Sequence, residues 1–288
     1  MPSFDTPAPI TATLELMVGD VRVTATDRTD TVVEVRPSNA ATEADVRAAA
    51  ETRVEYANGR LFIKTPKRLR VLGPFAKDGS VDVEIALPSG SHLHADAAMA
   101  AFHCTGALGD CRIKTAMGDL SIERTATLDV TTAAGTIVVE SVAGDAKAST
   151  ATGTVSLGEV GGQVSVKNSS GSSRIGTAGG DAKIKSANGD IVVEHAGGGV
   201  DAATAAGSVR VLDVRRGAVT LRTAAGELEV GVAAGTAVYL DLNTSFGKVL
   251  NELDSTGAPE AGELSVEVRA RTSFGDILVH RSAGTVAA

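Results

Sequence analysis

Large aromatic side chains are nearly missing from this 288-residue chain, which has six Phe, two Tyr and no Trp. Compact cores and ligand pockets normally take their largest apolar pieces from rings, so the interior must be assembled from Val, Ile, Leu and Ala. No stretch approaches the ~18 consecutive apolar residues of a membrane helix, and no membrane span is expected. Two cysteines, Cys104 and Cys111, are too few for a disulfide scaffold. Residues 1–7 have neither the basic start nor the apolar run of a secretory signal, so a cytoplasmic location is the expectation. Positive charge is in deficit: 27 Lys and Arg face 35 Asp and Glu, a net of −8. That balance argues against nucleic acid as a partner, since no bulk-basic surface exists to hold it. Nucleophile-elbow, phosphate-loop and dinucleotide patterns are absent too, and Gly197-Gly198-Gly199 opens no helical pattern and reads as a loop.

What the chain has in quantity is glycine, 32 residues of it, and the glycines are spaced. A Thr/Ser/Asn-x-x-Gly pattern ends at Gly118, Gly135, Gly153, Gly171, Gly189, Gly207, Gly226, Gly247 and Gly275. The intervals are 17, 18, 18, 18, 18, 19, 21 and 28 residues, which makes a repeat the primary signal. With that glycine as position zero, positions −7 and −5 are apolar (Val164/Val166, Ala182/Ile184, Val219/Leu221), and so are +2 and +4 (Val155/Leu157, Ile191/Val193, Leu228/Val230). Alternation with a period of two marks short strands with one buried face. Two such strands in ~18 residues leave no room for a helix, so each repeat is one coil of an all-β, single-chain parallel β-solenoid. The general rule for parallel crossovers makes it right-handed. Each coil is expected to pair with the next one in sequence.

Position −3 is Thr, Ser or Asn in every repeat. Such residues bond nearby backbone at a corner, and glycine supplies a positive φ there; the column reads as turn chemistry more than as a hydroxyl array for ice or a crystalline polysaccharide. Residues 1–90 follow the same grammar less cleanly and read as irregular coils plus a cap, continuous with solenoid repeats over residues 91–283. Ala12, Leu14, Gly19, Val21 and Val23 fit one coil, and Val54, Gly59, Leu61 and Ile63 fit the zero, +2 and +4 frame of another. Residues 41–50 are the one plausible helix, and residues 253–263, with Gly257 and Pro259, read as a surface loop.

Lys114-Thr115-Ala116-Met117-Gly118-Asp119-Leu120-Ser121-Ile122 and Lys185-Ser186-Ala187-Asn188-Gly189-Asp190-Ile191-Val192-Val193 resemble the repeats of the bacterial putative-adhesin β-strand-repeat family, a domain of unknown function. The opening Phe4-Asp5-Thr6-Pro7 and the segment Leu87-Pro88-Ser89-Gly90 are similar to actinobacterial members. The resemblance covers nearly the whole chain and implies a β-helical fold, with no catalytic or cofactor-binding residue attached to it.

For chemistry, His92, His94, His103, Cys104 and Cys111 have the residue types of a zinc site but not the spacing. The inward frame makes the cysteines core residues and leaves the histidines facing solvent. Asp110, Asp145 and Asp181 share corner position −8 and read as turn formers more than calcium ligands. His195, at another corner, has no carboxylate at a telling spacing. The outward residues are sorted by sign. Positions −6 and −4 carry Arg112, Lys114, Lys147, Lys167, Lys183, Lys185, Arg222, Arg269 and Arg271 against three Asp. Positions +1, +3 and +5 carry nine acidic residues, among them Asp119, Asp190 and Asp276, against three basic ones. Inheritance from one ancestral coil accounts for part of this, and an interaction stripe for the rest. The expected function is a non-enzymatic scaffold that needs no cofactor and binds a macromolecular partner, or itself, through charged strand faces. The alternative is a carbohydrate-active β-helix enzyme.

Overall fold

The structure, a computed structural model, describes residues 2–66, 79–253 and 264–282. They form 23 strands and one short helix in two compact units, Met1–Val142 and Ala143–Ala288. Among the described residues no helix is long and apolar enough to cross a membrane. Unit one holds β1 (Ser3–Asp5), β2 (Thr11–Thr26), β3 (Asp30–Pro37), α1 (Glu43–Glu51), β4 (Arg53–Ala57), β5 (Arg60–Lys64), β6 (Ser80–Pro88), β7 (His92–Met117), β8 (Leu120–Ala134) and β9 (Ile137–Val142). Unit two opens with β10 (Ala146–Thr152), β11 (Val155–Val160), β12 (Val164–Ser170), β13 (Ser173–Ala178), β14 (Ala182–Asn188), β15 (Ile191–Ala196) and β16 (Val200–Ala203). It continues with β17 (Val209–Val214), β18 (Gly217–Ala225), β19 (Leu228–Val232), β20 (Ala237–Phe246), β21 (Val249–Asn251), β22 (Ser265–Phe274) and β23 (Ile277–Arg281).

Unit two is the expected parallel solenoid. One ladder runs β10-β12-β14-β16-β18-β22-β20 and the other β11-β13-β15-β17-β19-β23-β21, every pair parallel. Register brings like positions together, so Ile191 lies between Ser173 and Val209, and Ile184 between Val166 and Ala202. All of these are buried. The core is therefore a set of aliphatic columns, which explains how a chain nearly without rings closes an interior.

The corners behave as turn chemistry predicts. Gly207 has φ +136°, and a Cβ there would lie 2.3 Å from the carbonyl oxygen of Gly189 on the neighbouring coil. The residue at −3 turns inward and bonds backbone: the Thr204 hydroxyl donates to the carbonyls of Gly189 and Ala206 at 3.2 Å each, and the Asn168 amide to those of Gly153 and Gly171 at 3.0 and 2.9 Å. Both are buried, so this column offers no exposed hydroxyl array.

Three expectations are corrected. Sequence neighbours do not always stack: β22 and β23 lie between the coil of β18 and β19 and the earlier coil of β20 and β21. The side chains give the reason. The inserted coil presents Val266, Val268, Ala270, Ile277 and Val279, all fully buried. The displaced coil carries Asn251 at its +4 position, and there the amide is exposed and accepts a hydrogen bond from Leu253 N at 3.1 Å. Burying it would leave it unpaired, at a cost of ~1–3 kcal/mol. Unit one shows the same kind of reversal, with β2 lying between the later β5/β6 coil and β7. Finally, Gly59 is not a coil glycine. Asn58 and Gly59, with φ of +51° and +73°, form the two-residue turn of the antiparallel β4–β5 hairpin. Leu61 and Ile63 then pair with Ala12 and Leu14, half a coil from the assumed frame.

The helix lies at Glu43–Glu51, as its pattern predicts, and packs against β3 and β6. Together with β1, β3 and β4, which pair antiparallel, it covers the outer edges of β5 and β6. Covering of this kind is how natural sheets blunt an edge. The segment 254–263, most of the expected surface loop, lies outside the described residues.

Candidate functional site

The two cysteines sit in the columns the sequence assigned, Cys104 opposite Ile122 and Cys111 opposite Leu128. Both are free and buried. Burial pushes the Cys104 thiol up to about 12 and holds the Cys111 thiol well above its ordinary range. A thiol in that state is neither a ready nucleophile nor a metal ligand. His92 and His103 are part-exposed at 42% and 46% and face Asp110 and Asp20 at 3.3 and 3.7 Å, away from the thiols. Among the described residues no group of three or more His, Cys, Asp or Glu is placed to hold a metal. With a thiolate population on the order of one in ten thousand at pH 8, Cys104 is expected to resist Ellman's reagent in the native protein. Two thiols should appear on unfolding; rapid labelling of the native state would contradict the burial.

The corner carboxylates are structural groups. Asp145 accepts a hydrogen bond from Gln163 N, and Asp181 from Gly199 N, both at 2.8 Å. Asp119, Asp190 and Asp276 do the same for Thr136 N, Ser208 N and Lys248 N, at 2.7–2.8 Å. Each spans from one coil to the equivalent corner of its neighbour, and a charged acceptor makes the bond a strong one. Three of the nine acidic residues of the apparent acidic face are thus backbone caps, legible in the sequence only as an Asp just after the repeat glycine. His195 does have a carboxylate, Asp213, at the same corner one coil on, 3.5 Å away. Ser282 donates to that carboxylate at 2.6 Å, not to the imidazole, so the three do not form an activated nucleophile.

All nine basic residues of the proposed stripe are exposed. In unit one Arg112 faces Asp129 at 3.8 Å, and Lys114 lies opposite Thr131. In unit two the arginines are answered locally: Arg222 by Asp201 at 3.7 Å, Arg271 by Asp241 at 3.2 Å, and Arg269 by Glu267. The lysines differ. Lys167 and Lys185 are directly opposed on β12 and β14, and Lys183 is two residues from Lys185 on the same outward face. Strand spacing sets Lys167 and Lys185 ~4.8 Å apart at the backbone. None of the three makes an ion pair among the described residues, although the register sets Lys183 opposite Asp201, which is itself paired with Arg222.

Beside them is a depression of about 490 Å³, lined by Asp181, Lys183, Asp201, Gly217, Thr220 and Arg222 among others. Gly199 stands there at position −8, where every other coil carries a side chain. Sequence reasoning missed the depression; the signal was the loss of the −8 side chain at Gly199. Asp181 is held by Gly199 N and Asp201 faces Arg222, so both carboxylates are engaged.

The family model described as Toastrack DUF4097 matches residues 11–280. No curated protein matches the sequence. Similar solved structures include a putative cell adhesion protein from Clostridium sporogenes ATCC 15579, at 12% identity and TM-score 0.24, covering 97% of this chain and 98% of that one. A putative adhesin from Bacteroides fragilis NCTC 9343 matches at 12% identity and TM-score 0.32, covering 96% and 95%. Another from Parabacteroides merdae ATCC 43184 matches at 10% and 0.34, covering 97% and 94%.

Proposed function

Because this chain belongs to the Toastrack DUF4097 family, a domain of unknown function, its surface is the guide to its role, and we propose that it is a non-enzymatic scaffold that docks an anionic macromolecule on the face carrying Lys167, Lys183 and Lys185. The observation that carries the reading is the contrast on one face: arginines in these columns make ion pairs with carboxylates, while Lys167 and Lys185 oppose each other with none and Lys183 faces an Asp201 already paired with Arg222. Like charges this close lie within a Debye length of ~8 Å, so their fields add. An uncompensated cluster of this kind raises the fold's own electrostatic energy and is relieved by a partner of opposite sign. The paired state of Asp181 and Asp201 in the adjacent depression favours binding over the carbohydrate-active alternative, which needs a free acid and base. The unpaired buried thiols fit work in the reducing cytoplasm, and the Phe4-Asp5-Thr6-Pro7 opening fits an actinobacterial-type member.

The test is the triple variant Lys167→Glu, Lys183→Glu and Lys185→Glu. Pull-down from lysate, or co-sedimentation with a polyanion such as heparin, is expected to lose its salt-sensitive partners, while circular dichroism stays that of the unaltered chain because all three side chains point outward. Retention of the same partners at low and high salt would remove this face from consideration.

A further inference from the structure

Among the described residues, the outermost coil of unit two, β20 and β21, has no strand on either outer edge. Among the same residues the apolar side chains at this end are uncovered: Tyr239 is 55% exposed, Leu240 36%, Val249 44% and Leu250 46%. Phe246 stacks on Phe274 with ring centroids 4.9 Å apart, yet both rings stay largely in solvent. In a chain with six phenylalanines, leaving two of them outside is a concentrated exposure of apolar surface.

The sequence of β20 carries none of the residues that usually blunt an edge. β20 reads Ala-Val-Tyr-Leu-Asp-Leu-Asn-Thr-Ser-Phe, with no Lys, no Pro and no charge turned inward. Residues 254–263 and 283–288 lie outside the described residues, and their sequence carries nothing apolar larger than alanine except Pro259 and Val286. They supply few groups with which to cover Leu240, Val249 and Leu250.

We infer that this end of the solenoid is an interface with a second copy of the chain, joined end to end by antiparallel pairing of β20 with its counterpart about a two-fold axis at Leu240. Three features select this occupant. Two edges, one on each face of the coil, need a partner at once. An extended peptide satisfies one of them, whereas a second open end presents both edges and an apolar floor between. Hydrogen-bond polarity also fits. Ala237 N bonds inward to Leu264 O, so alternation leaves the N–H and C=O of Val238, Leu240 and Leu242 on the free edge. A two-fold axis at Leu240 sets Leu240 against its copy and Val238 against Leu242, each a hydrogen-bonded antiparallel pair. Charge fits as well: this register opposes Tyr239 to Asp241, while centring one residue later would set Asp241 against itself. An interface of this kind is isologous and closes at two subunits.

Sedimentation of the full chain over a range of concentrations is expected to show a monomer–dimer equilibrium. Leu240→Lys, placing an inward charge on an exposed edge, should sediment as a monomer at concentrations where the unaltered chain is dimeric, with a circular dichroism spectrum that stays that of the folded solenoid. Leu240→Cys gives a second reading that does not depend on loss of binding. Residues facing across such a pair have Cα atoms ~5.5 Å apart, within disulfide range, so mild oxidation should yield a crosslinked dimer that Lys248→Cys does not. Hydrogen exchange completes the test, with the Val238, Leu240 and Leu242 amides protected only in the dimer. A unaltered chain that stays monomeric throughout, or a dimer that Leu240→Lys leaves intact, overturns the inference. Protection of those amides in the monomer also overturns it and points to the chain's own residues 254–263 or 283–288 as the cover.

Discussion

Ile191→Asp is expected to unfold the coils of unit two as a group. Ile191 is fully buried between Ser173 and Val209 in its column. Truncating a buried isoleucine costs ~2–5 kcal/mol by itself, and an unpaired carboxylate in an aliphatic interior adds several more. Together these approach the ~5–15 kcal/mol that holds an ordinary domain folded. Because solenoid coils rest on their neighbours, the loss should spread beyond β15. The control is the next residue. Val192 points outward between Arg174 and Arg210, so Val192→Asp should be tolerated. Thermal melts by circular dichroism distinguish the two; an Ile191→Asp protein that melts like the unaltered chain would mean that the inward frame is misassigned.

Gly207→Ala is expected to be strongly destabilising, as a methyl group would be at the other repeat corners, where an added Cβ meets a neighbouring carbonyl oxygen at 2.0–2.3 Å. Its Cβ would meet the Gly189 carbonyl oxygen at 2.3 Å, on a backbone whose φ of +136° already disfavours a side chain. Positive φ costs ~1–2 kcal/mol and overpacking ~1–3 kcal/mol, and a backbone oxygen cannot rotate out of the way. For a unit of this size each kcal/mol shifts the midpoint by roughly 2–4 °C, so a fall of about 10 °C is the expected scale. Gly235, at φ +75° with nothing within 4 Å of its Cβ position, separates the two effects. Gly235→Asn should be nearly silent, since Asn tolerates that region. If Gly207→Ala is equally silent, the close stacking of the corner glycines is not what spaces the coils.

The periodic middle of the chain was legible because strand alternation, the −3 hydroxyl and the corner glycine all repeat, and each has a local physical cause. Ile191, Val166 and Cys104 could be placed inward by counting. Stacking order was not legible in the same way, since the β20–β21 and β22–β23 coils both satisfy the repeat and differ mainly at Asn251 of β21, one polar residue in an inward position. The hairpin at Asn58-Gly59 was misread because a Gly next to alternating apolar residues satisfies two grammars, and an Asn before it does not separate them, since Asn188 precedes the coil glycine Gly189. On the surface, charge sorting overstated the acidic face, since Asp119, Asp190 and Asp276 cap backbone N–H groups on neighbouring coils. The basic cluster needed the register, which sets Lys167 against Lys185, and the ion pairs, which remove the arginines.

The placement of β22 and β23 inside an earlier coil has a consequence in time. A ribosome releases residues 237–251 before residues 265–281, yet the later segment occupies the seat on β18 and β19. The earlier segment carries the same alternation and can settle on that seat first, and it must then be lifted away for the final arrangement to form. Assembly from this side therefore cannot be a simple addition of coils in the order they are made. Refolding from denaturant should show a slow phase that disappears when residues 237–251 are made unable to dock early, and loss of structure cannot begin by peeling away the segment that arrived last.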